Sequence, residues 1–471
     1  MQIEYRSKMD KLSDKSRTAL VMLTFSDGKD DSPLFSGRKI KEIRIGRGKN
    51  RGVMATRAEI ISLVRKGVNF ARKRSVKHLS IKLSEFPKTI KNLKDTDLAE
   101  LVARESCVAN YEFNKYKKSK EEGFPLLESV VVCGVSEQNK ALMIGAVERG
   151  AKTGLVVNET RDICNTPACD LAPADLVRIA KEVLEPIGVV VTDYDLDGLK
   201  KLGAGGLVAV GKGSENEPHM IVMEWNGGKK GDKPIAIVGK GITHDTGGYS
   251  IKPSCSMVDM HLDMSGGAAV MGAMRLCATF GIRKNVIGIV ASAENMVSGR
   301  SYREGDIIRM LDGTTVEVKN TDAEGRIVLG DAIAYAKKMK PKAIIDIATL
   351  TGASIVALGY RFAGVMTLDE RLEKTALSVA EEVGEDVWPL PITADYEADI
   401  KSNFADIANL GKKEKAGGAT TGGIFLAHFA KGTPWMHIDM APRMESQDFD
   451  NLAFGATGYG VQLLFGILNK M

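Results

Sequence analysis

The chain has 471 residues, 65 of them basic and 60 acidic, for a formal charge of +5 near neutral pH, with 44% hydrophobic and 27% charged residues. That balance fits a folded protein of roughly two to four domains, and it excludes a disordered tail, a collagen-like chain and a disulfide-framework miniprotein. The charge is uneven: residues 1–150 hold 31 basic and 19 acidic residues, net +12, whereas residues 151–471 hold 34 and 41, net −7.

The six cysteines (107, 133, 164, 169, 255 and 277) form no C-x-x-C, which reads as reduced thiols in a cytoplasmic protein. The start, Met1-Gln2-Ile3-Glu4, lacks the apolar segment of a signal peptide. No run approaches the ~20 apolar residues that span a membrane, so no membrane partner is expected.

In chain order, residues 18–25 (TALVMLTF) read as a strand, and 55–74 as a helix with apolar residues at helical spacing and a basic opposite face. Strands follow at 77–83 and 128–134, giving a small α/β module. A long helical pattern over 138–163 ends at Asn165-Thr166-Pro167. The domain boundary is placed along it: 1–155 as a basic N-terminal α/β domain and 156–471 as the larger catalytic domain.

Beyond 170 the alternation continues. Strands are expected at 188–193, 219–225, 234–239, 285–292, 314–318, 343–349 and 435–439, with helices at 173–186, 266–280, 324–339, 370–383 and 420–430. Several strands are apolar throughout, as in a sheet covered on both faces. The stretch from Gly206 to Lys212 has the outline of a phosphate loop. Gly213 stands where a magnesium-holding hydroxyl is needed, however, and the intervening LVAV reads better as a strand. Six histidines form no H-E-x-x-H and no cluster, which argues against a histidine zinc site.

Charged residues concentrate in two glycine-rich stretches. Residues 237–269 hold Lys240 at a strand end, Asp245, the Gly247-Gly248 turn, Lys252, and Asp263 before another glycine pair. Residues 320–326 (NTDAEGR) follow a strand and open a helix. Strand ends and first helical turns form the ligand crevice of an α/β sheet. A helix dipole accounts for Asp322 and Glu324 one at a time. It does not account for charges recurring among glycines and short apolar strands, a pattern that suits a metal–carboxylate site.

Together GKGITHDTGGYSIKP, DMSGGAA and NTDAEGR resemble the signatures of the leucyl aminopeptidase (cytosol aminopeptidase) family. RDICNTPACDLAP, DIATLTGA, GGATTGGIFLAHF, WMHIDMA and GATGYGVQLL agree. The likeness covers roughly 160–471. It implies an α/β fold with a smaller N-terminal domain and a larger C-terminal catalytic domain whose mixed sheet is covered by helices.

The resemblance implies two divalent metal ions, Mn or Zn foremost. Lys240, Asp245, Asp263 and Glu324 would hold one. Asp245, Asp322 and Glu324 would hold the other, with the Asp322 carbonyl helping, and Asp245 and Glu324 would bridge. Lys240 could ligate only as a neutral amine. Lys252 would stabilise the oxyanion, and Arg326 would hold a bicarbonate that acts as general base. Met260, Thr349, Leu350 and Gly352 would line the substrate pocket.

The resemblance further implies short peptide substrates with apolar, leucine-like N-terminal residues, and a homohexamer whose sites face an internal cavity. His244 stands where the family has Phe, His261 where Lys is common, and Gln462 where Arg is frequent. Two other activities stay open. Some members of the family also bind DNA, which the +12 module invites; a gel shift that weakens steeply with salt would reveal it. A two-metal phosphatase would need positive clamps, for which Lys252 and Arg326 are available, but NTDAEGR argues for peptides.

Overall fold

The computed structural model describes all residues except 7–20, 27–30, 37–38, 47–55, 87–92, 119–123, 135–138 and 413–415. It divides into two compact units. One is Met1–Glu159 with Glu381–Gly384 and Ser446–Gly455; the other is Thr160–Ala380, Glu385–Glu445 and Ala456–Met471.

The first unit contains β1 (Gln2–Arg6), β2 (Val21–Ser26), β3 (Ser32–Ser36), β4 (Lys39–Gly46), α1 (Arg57–Arg72), β5 (His78–Lys82), α2 (Asp95–Ala109), β6 (Ser129–Cys133) and the start of α3 (Lys140–Asn165). Among the described residues its sheet runs β1-β6-β5-β2-β4-β3, parallel except at the β3–β4 pair. Residues 18–20 of the predicted first strand lie outside the described residues; the rest is β2. The core joins Leu23, Ile43, Ile45, Leu79, Ile81, Val130 and Val132 to the apolar faces of α1 and α2. A buried carboxylate, Glu105, sits between Arg65 at 2.7 Å and Arg104 at 2.7 Å. Those guanidiniums also bond the carbonyls of Asp450 and Val383, which ties both later excursions of the chain into this unit.

The second unit holds the rest of α3, then α4 (Pro173–Leu184), β7 (Val190–Tyr194), α5 (Leu196–Leu202), α6 (Gly205–Gly211), β8 (His219–Asn226), β9 (Ile235–Asp245), α7 (Ser254–Met257), α8 (Ser265–Phe280) and β10 (Asn285–Asn295). It continues through β11 (Ile307–Arg309), β12 (Thr315–Glu317), α9 (Glu324–Lys338), β13 (Ala343–Ala348), α10 (Gly352–Leu358), β14 (Ala363–Thr367), α11 (Glu370–Val383), β15 (Val387–Pro389), β16 (Ile407–Ala408), α12 (Gly418–Ala430), β17 (Trp435–Asp439) and α13 (Val461–Lys470). The main sheet runs β15-β14-β17-β13-β9-β10-β8-β7. β17, β13, β9 and β10 are mutually parallel at its centre, and antiparallel pairings flank them. β9 and β13 are buried along nearly their whole length, which is why they read as apolar runs rather than alternating ones.

One expectation fails. Residues 207–210 form the interior of helix α6, not a strand. Asp331, fully buried in α9, accepts from the Leu207 amide at 2.9 Å and so caps that helix from 124 residues away. A distant carboxylate therefore overrides the strand propensity of the Val-rich run. The helices α2 and α13 were not anticipated either.

Candidate metal centre

The parallel strands β9 and β13 end side by side, and the loops that leave them build the centre. Lys240, expected at a strand end, lies mid-strand because β9 runs on to Asp245. The chain turns at once through Gly247 and Gly248, whose φ of 85° and 63° favour glycine. The Lys252 amide bonds back to the Thr246 carbonyl at 2.9 Å, which brings Lys252 over the end of the strand. Asp263 lies in the tight turn before α8. Glu324 is the first residue of α9, and Asp322 stands just ahead of it. Gly325 leaves room for Lys240: a Cβ would fall 2.8 Å from Lys240 Cε and push that side chain aside.

Asp245, Asp322 and Glu324 each present one carboxylate oxygen within 4.8 Å of the others. Asp263 is not part of that trio and joins it through Lys240. The Lys240 ammonium lies 2.7 Å from Asp263 Oδ2 and 2.8 Å from Glu324 Oε1, and it donates to the Thr349 carbonyl at 3.2 Å. Lys252 lies 2.8 Å from Asp245 Oδ2 and also donates to Asp322 Oδ1. Two lysines thus face four carboxyl groups. Glu324 is 2% exposed, and its Oε2 accepts no hydrogen bond among the described residues. Oxygen donors in excess, one amine and an orphaned buried carboxylate oxygen fit divalent cations.

The titrations follow from burial and crowding. Burial, then repulsion from Asp245, pushes the Glu324 carboxyl up to about 8, and burial pushes that of Asp263 up to about 6. Asp322 moves up for the same reasons. Burial pulls both lysines down, but the surrounding carboxylates outweigh it and leave both raised.

In the metal-free protein at pH 7 Glu324 therefore holds a proton that a cation must displace. We expect metal affinity to climb as pH rises towards 8, with protons released on binding. Calorimetry in buffers of different ionisation enthalpy reads this directly; uptake without proton release would contradict it. The same shift lowers the stability of the metal-free fold as pH rises from about 4.5 to about 8, because the folded state binds that proton more tightly than the unfolded chain.

Arg326 points from the first turn of α9 and is 5% exposed. It donates to the Asn409 carbonyl at 2.9 Å, while its buried Nε–H has no partner among the described residues. Burial lowers its pKa to about 10, so it remains cationic near neutral pH. A buried guanidinium with a free N–H suits a small oxyanion.

The residues expected to line the pocket lie just after β13 and in the turn before α8. Thr349 is buried and donates to Asp263 Oδ1 at 2.6 Å. Met260 and Leu350 are half-buried. Gly352 is exposed at the start of α10, and a Cβ there would meet open space. Of the departures from the family pattern, His244 has a buried Nδ1 with no hydrogen bond among the described residues, and Gln462 donates to Glu385.

Sequence reasoning missed Asp439, Asn295, Thr321 and Asn409. Asp439, at the end of β17, accepts from the Leu350 amide at 3.2 Å and from the hydroxyls of Thr351 at 2.7 Å and Ser354 at 2.6 Å, and so holds the loop after β13. A carboxylate at the end of a predicted parallel strand was the available signal. Asn409 bonds the carbonyl of Asn320 and the amide of Lys319, which sets the NTDAEGR loop.

The catalytic-domain profile of the cytosol aminopeptidase family matches residues 158–465. A probable cytosol aminopeptidase of Rickettsia felis is 42% identical over 369 residues, 78% of this chain and 73% of that protein. One from Cenarchaeum symbiosum is 41% identical over 80% of this chain and 76% of its own. Among solved structures, the bottromycin maturation enzyme BotP, determined also in complex with Mn, is similar with a TM-score of 0.84 and 29% identity over 96% of this chain and 99% of its own. With three of its family signatures gathered around one carboxylate–lysine cluster, the chain belongs to the cytosol aminopeptidase family of metal-dependent aminopeptidases, hydrolases that act at peptide N-termini.

Proposed function

We propose that this chain is a two-metal aminopeptidase that removes apolar, leucine-like residues from short peptides. The observation that carries this is the cluster of four carboxylates against two lysines, in which Asp245, Asp263, Glu324 and Lys240 are buried while Asp322 opens to solvent, flanked by a buried arginine whose Nε–H has no partner among the described residues. Lys240, Asp245, Asp263 and Glu324 would hold one ion, and Asp245, Asp322 and Glu324 the other, with Mn or Zn favoured. Ions held there would supply Lewis-acid charge that polarises a carbonyl and makes water acidic enough to attack near neutral pH.

The chain's own side chains then have separate tasks. Lys252, partly open to solvent, donates to the oxygen on which negative charge develops. Arg326 presents its free N–H to a bicarbonate, which would supply the general base. Lys240 would serve as a ligand only as a neutral amine. Met260 and Thr349 bound the apolar pocket, while Leu350 and Gly352 offer backbone contacts to the substrate. The 1–155 and 156–471 division, homohexameric assembly and a cytoplasmic location belong to the same reading, and rest on the family likeness. Among the described residues no helix is long and apolar enough to cross a membrane. The +12 balance of residues 1–150 supports nucleic-acid contact as an addition to catalysis, to be read by the salt dependence of a gel shift.

The free α-amine of the substrate provides the test. Leucyl-amide is expected to be hydrolysed and its N-acetyl form refused, since acetylation removes the amine that the centre would bind. Comparable rates on the two would exclude an aminopeptidase of this design.

A further inference from the structure

We propose that Asn295 is a positioning residue for the metal centre: it locks one oxygen of Asp245 and leaves the other to face the cations. The inference rests on the two-metal reading above and adds a residue to it.

The geometry begins with strand register. β10 runs parallel to β9, with Ala293 beside Ile242 and then Glu294 beside His244. One residue of β9, Thr243, is thereby skipped. Without that irregularity Asn295 would stand beside His244, whose side chain leaves the opposite face of the sheet from that of Asp245. With it, Asn295 stands beside Asp245. Such bulges re-aim side chains next to functional sites. The Asn295 carbonyl holds the new register by accepting from the Thr246 amide at 3.0 Å and the Thr246 hydroxyl at 2.7 Å.

The side chain is fully buried. Its Nδ2 donates to Asp245 Oδ1 at 2.8 Å and to the Thr321 carbonyl at 3.0 Å. Both partners are acceptors, so the amide can sit only this way round. Among the described residues nothing donates to its Oδ1. One amide therefore ties the loop after β9 to the loop that delivers Asp322 and Glu324. Thr321 reinforces the tie: its hydroxyl donates to the Gly247 carbonyl at 2.7 Å, and its carbonyl also accepts from the Tyr302 hydroxyl at 2.6 Å.

Asp245 Oδ1 is then saturated, because it also accepts from the Gly247 amide at 2.9 Å. Only Oδ2 is left, and it faces Lys252 at 2.8 Å. An outer partner of this kind typically sets metal affinity by about 10–100-fold.

The experiment is a Mn²⁺ titration of the chelator-stripped full chain, for the wild type, Asn295→Ala and Asn295→Ser. Melting curves of the metal-free proteins are recorded in parallel. Both variants are expected to bind Mn²⁺ about 10–100-fold more weakly. Wild-type affinity in either folded variant overturns the proposal. So does a lowered metal-free melting temperature with unchanged affinity, which would make Asn295 structural only. A wild-type chain that takes up no Mn²⁺ would instead sink the metal-centre reading, and this inference with it.

Discussion

Glu324→Gln is expected to abolish nearly all activity, by several orders of magnitude, while the fold is retained. Glutamine has the same shape, so the first turn of α9 keeps its packing, and Gly325 still clears Lys240. What disappears is a charge that both ions would share. Glu324 Oε1 is 2.8 Å from Lys240, and Oε2 is buried with no hydrogen bond among the described residues. An amide would turn an N–H donor towards one of these positions, where a cation or an ammonium requires an acceptor. Metal occupancy should fall together with turnover. Asp245→Asn is expected to behave alike, since Oδ2 is the oxygen that Asn295 and Gly247 leave available. Elemental analysis and turnover on leucyl-amide check both variants. Two ions per chain with near-normal turnover would exclude the bridging assignment.

Lys252→Ala separates catalysis from metal binding. Lys252 is no proposed ligand, yet it pairs with two of them, Asp245 and Asp322. Its removal leaves the cluster more negative, so ions should stay bound at least as tightly. The ammonium is needed chiefly when charge develops on the carbonyl oxygen, and losing one such donor typically costs about 10²–10³ in kcat, or ~2.7–4 kcal/mol. We expect that loss in kcat with little change in KM, because ground-state binding would rest on the ions and the apolar pocket. Full kcat, or loss of the metals, would remove Lys252 from the role of electrophile.

Much of the centre was legible because its residues come in short contiguous pieces. Asp322, Glu324 and Arg326 sit within one heptapeptide at the start of a helix. Lys240, Asp245 and Lys252 lie within thirteen residues of one strand and its turn. Charges recurring among glycines at strand and helix ends suggested a metal–carboxylate site, and the likeness to the family assigned the residues one by one. The apolar runs of β9, β10 and β13 likewise announced a sheet covered on both faces. Charge, composition and cysteine usage set the class of protein.

What only the tertiary structure decided lies at long sequence separation. Asn295 meets Asp245 because β10 pairs with β9 and because one skipped residue shifts the register; neither is written in the composition of either strand. Asp439 reaches the loop after β13 from β17, about ninety residues beyond it. Asp331 turns an expected strand into helix α6 by capping it from α9. The excursions 381–384 and 446–455 join the first unit through the carbonyls that Arg104 and Arg65 bond. The physical reason is common to all four. A buried polar group is satisfied by whichever donor or acceptor the packing brings within about 3 Å, and packing is settled by the whole chain rather than by neighbours in sequence.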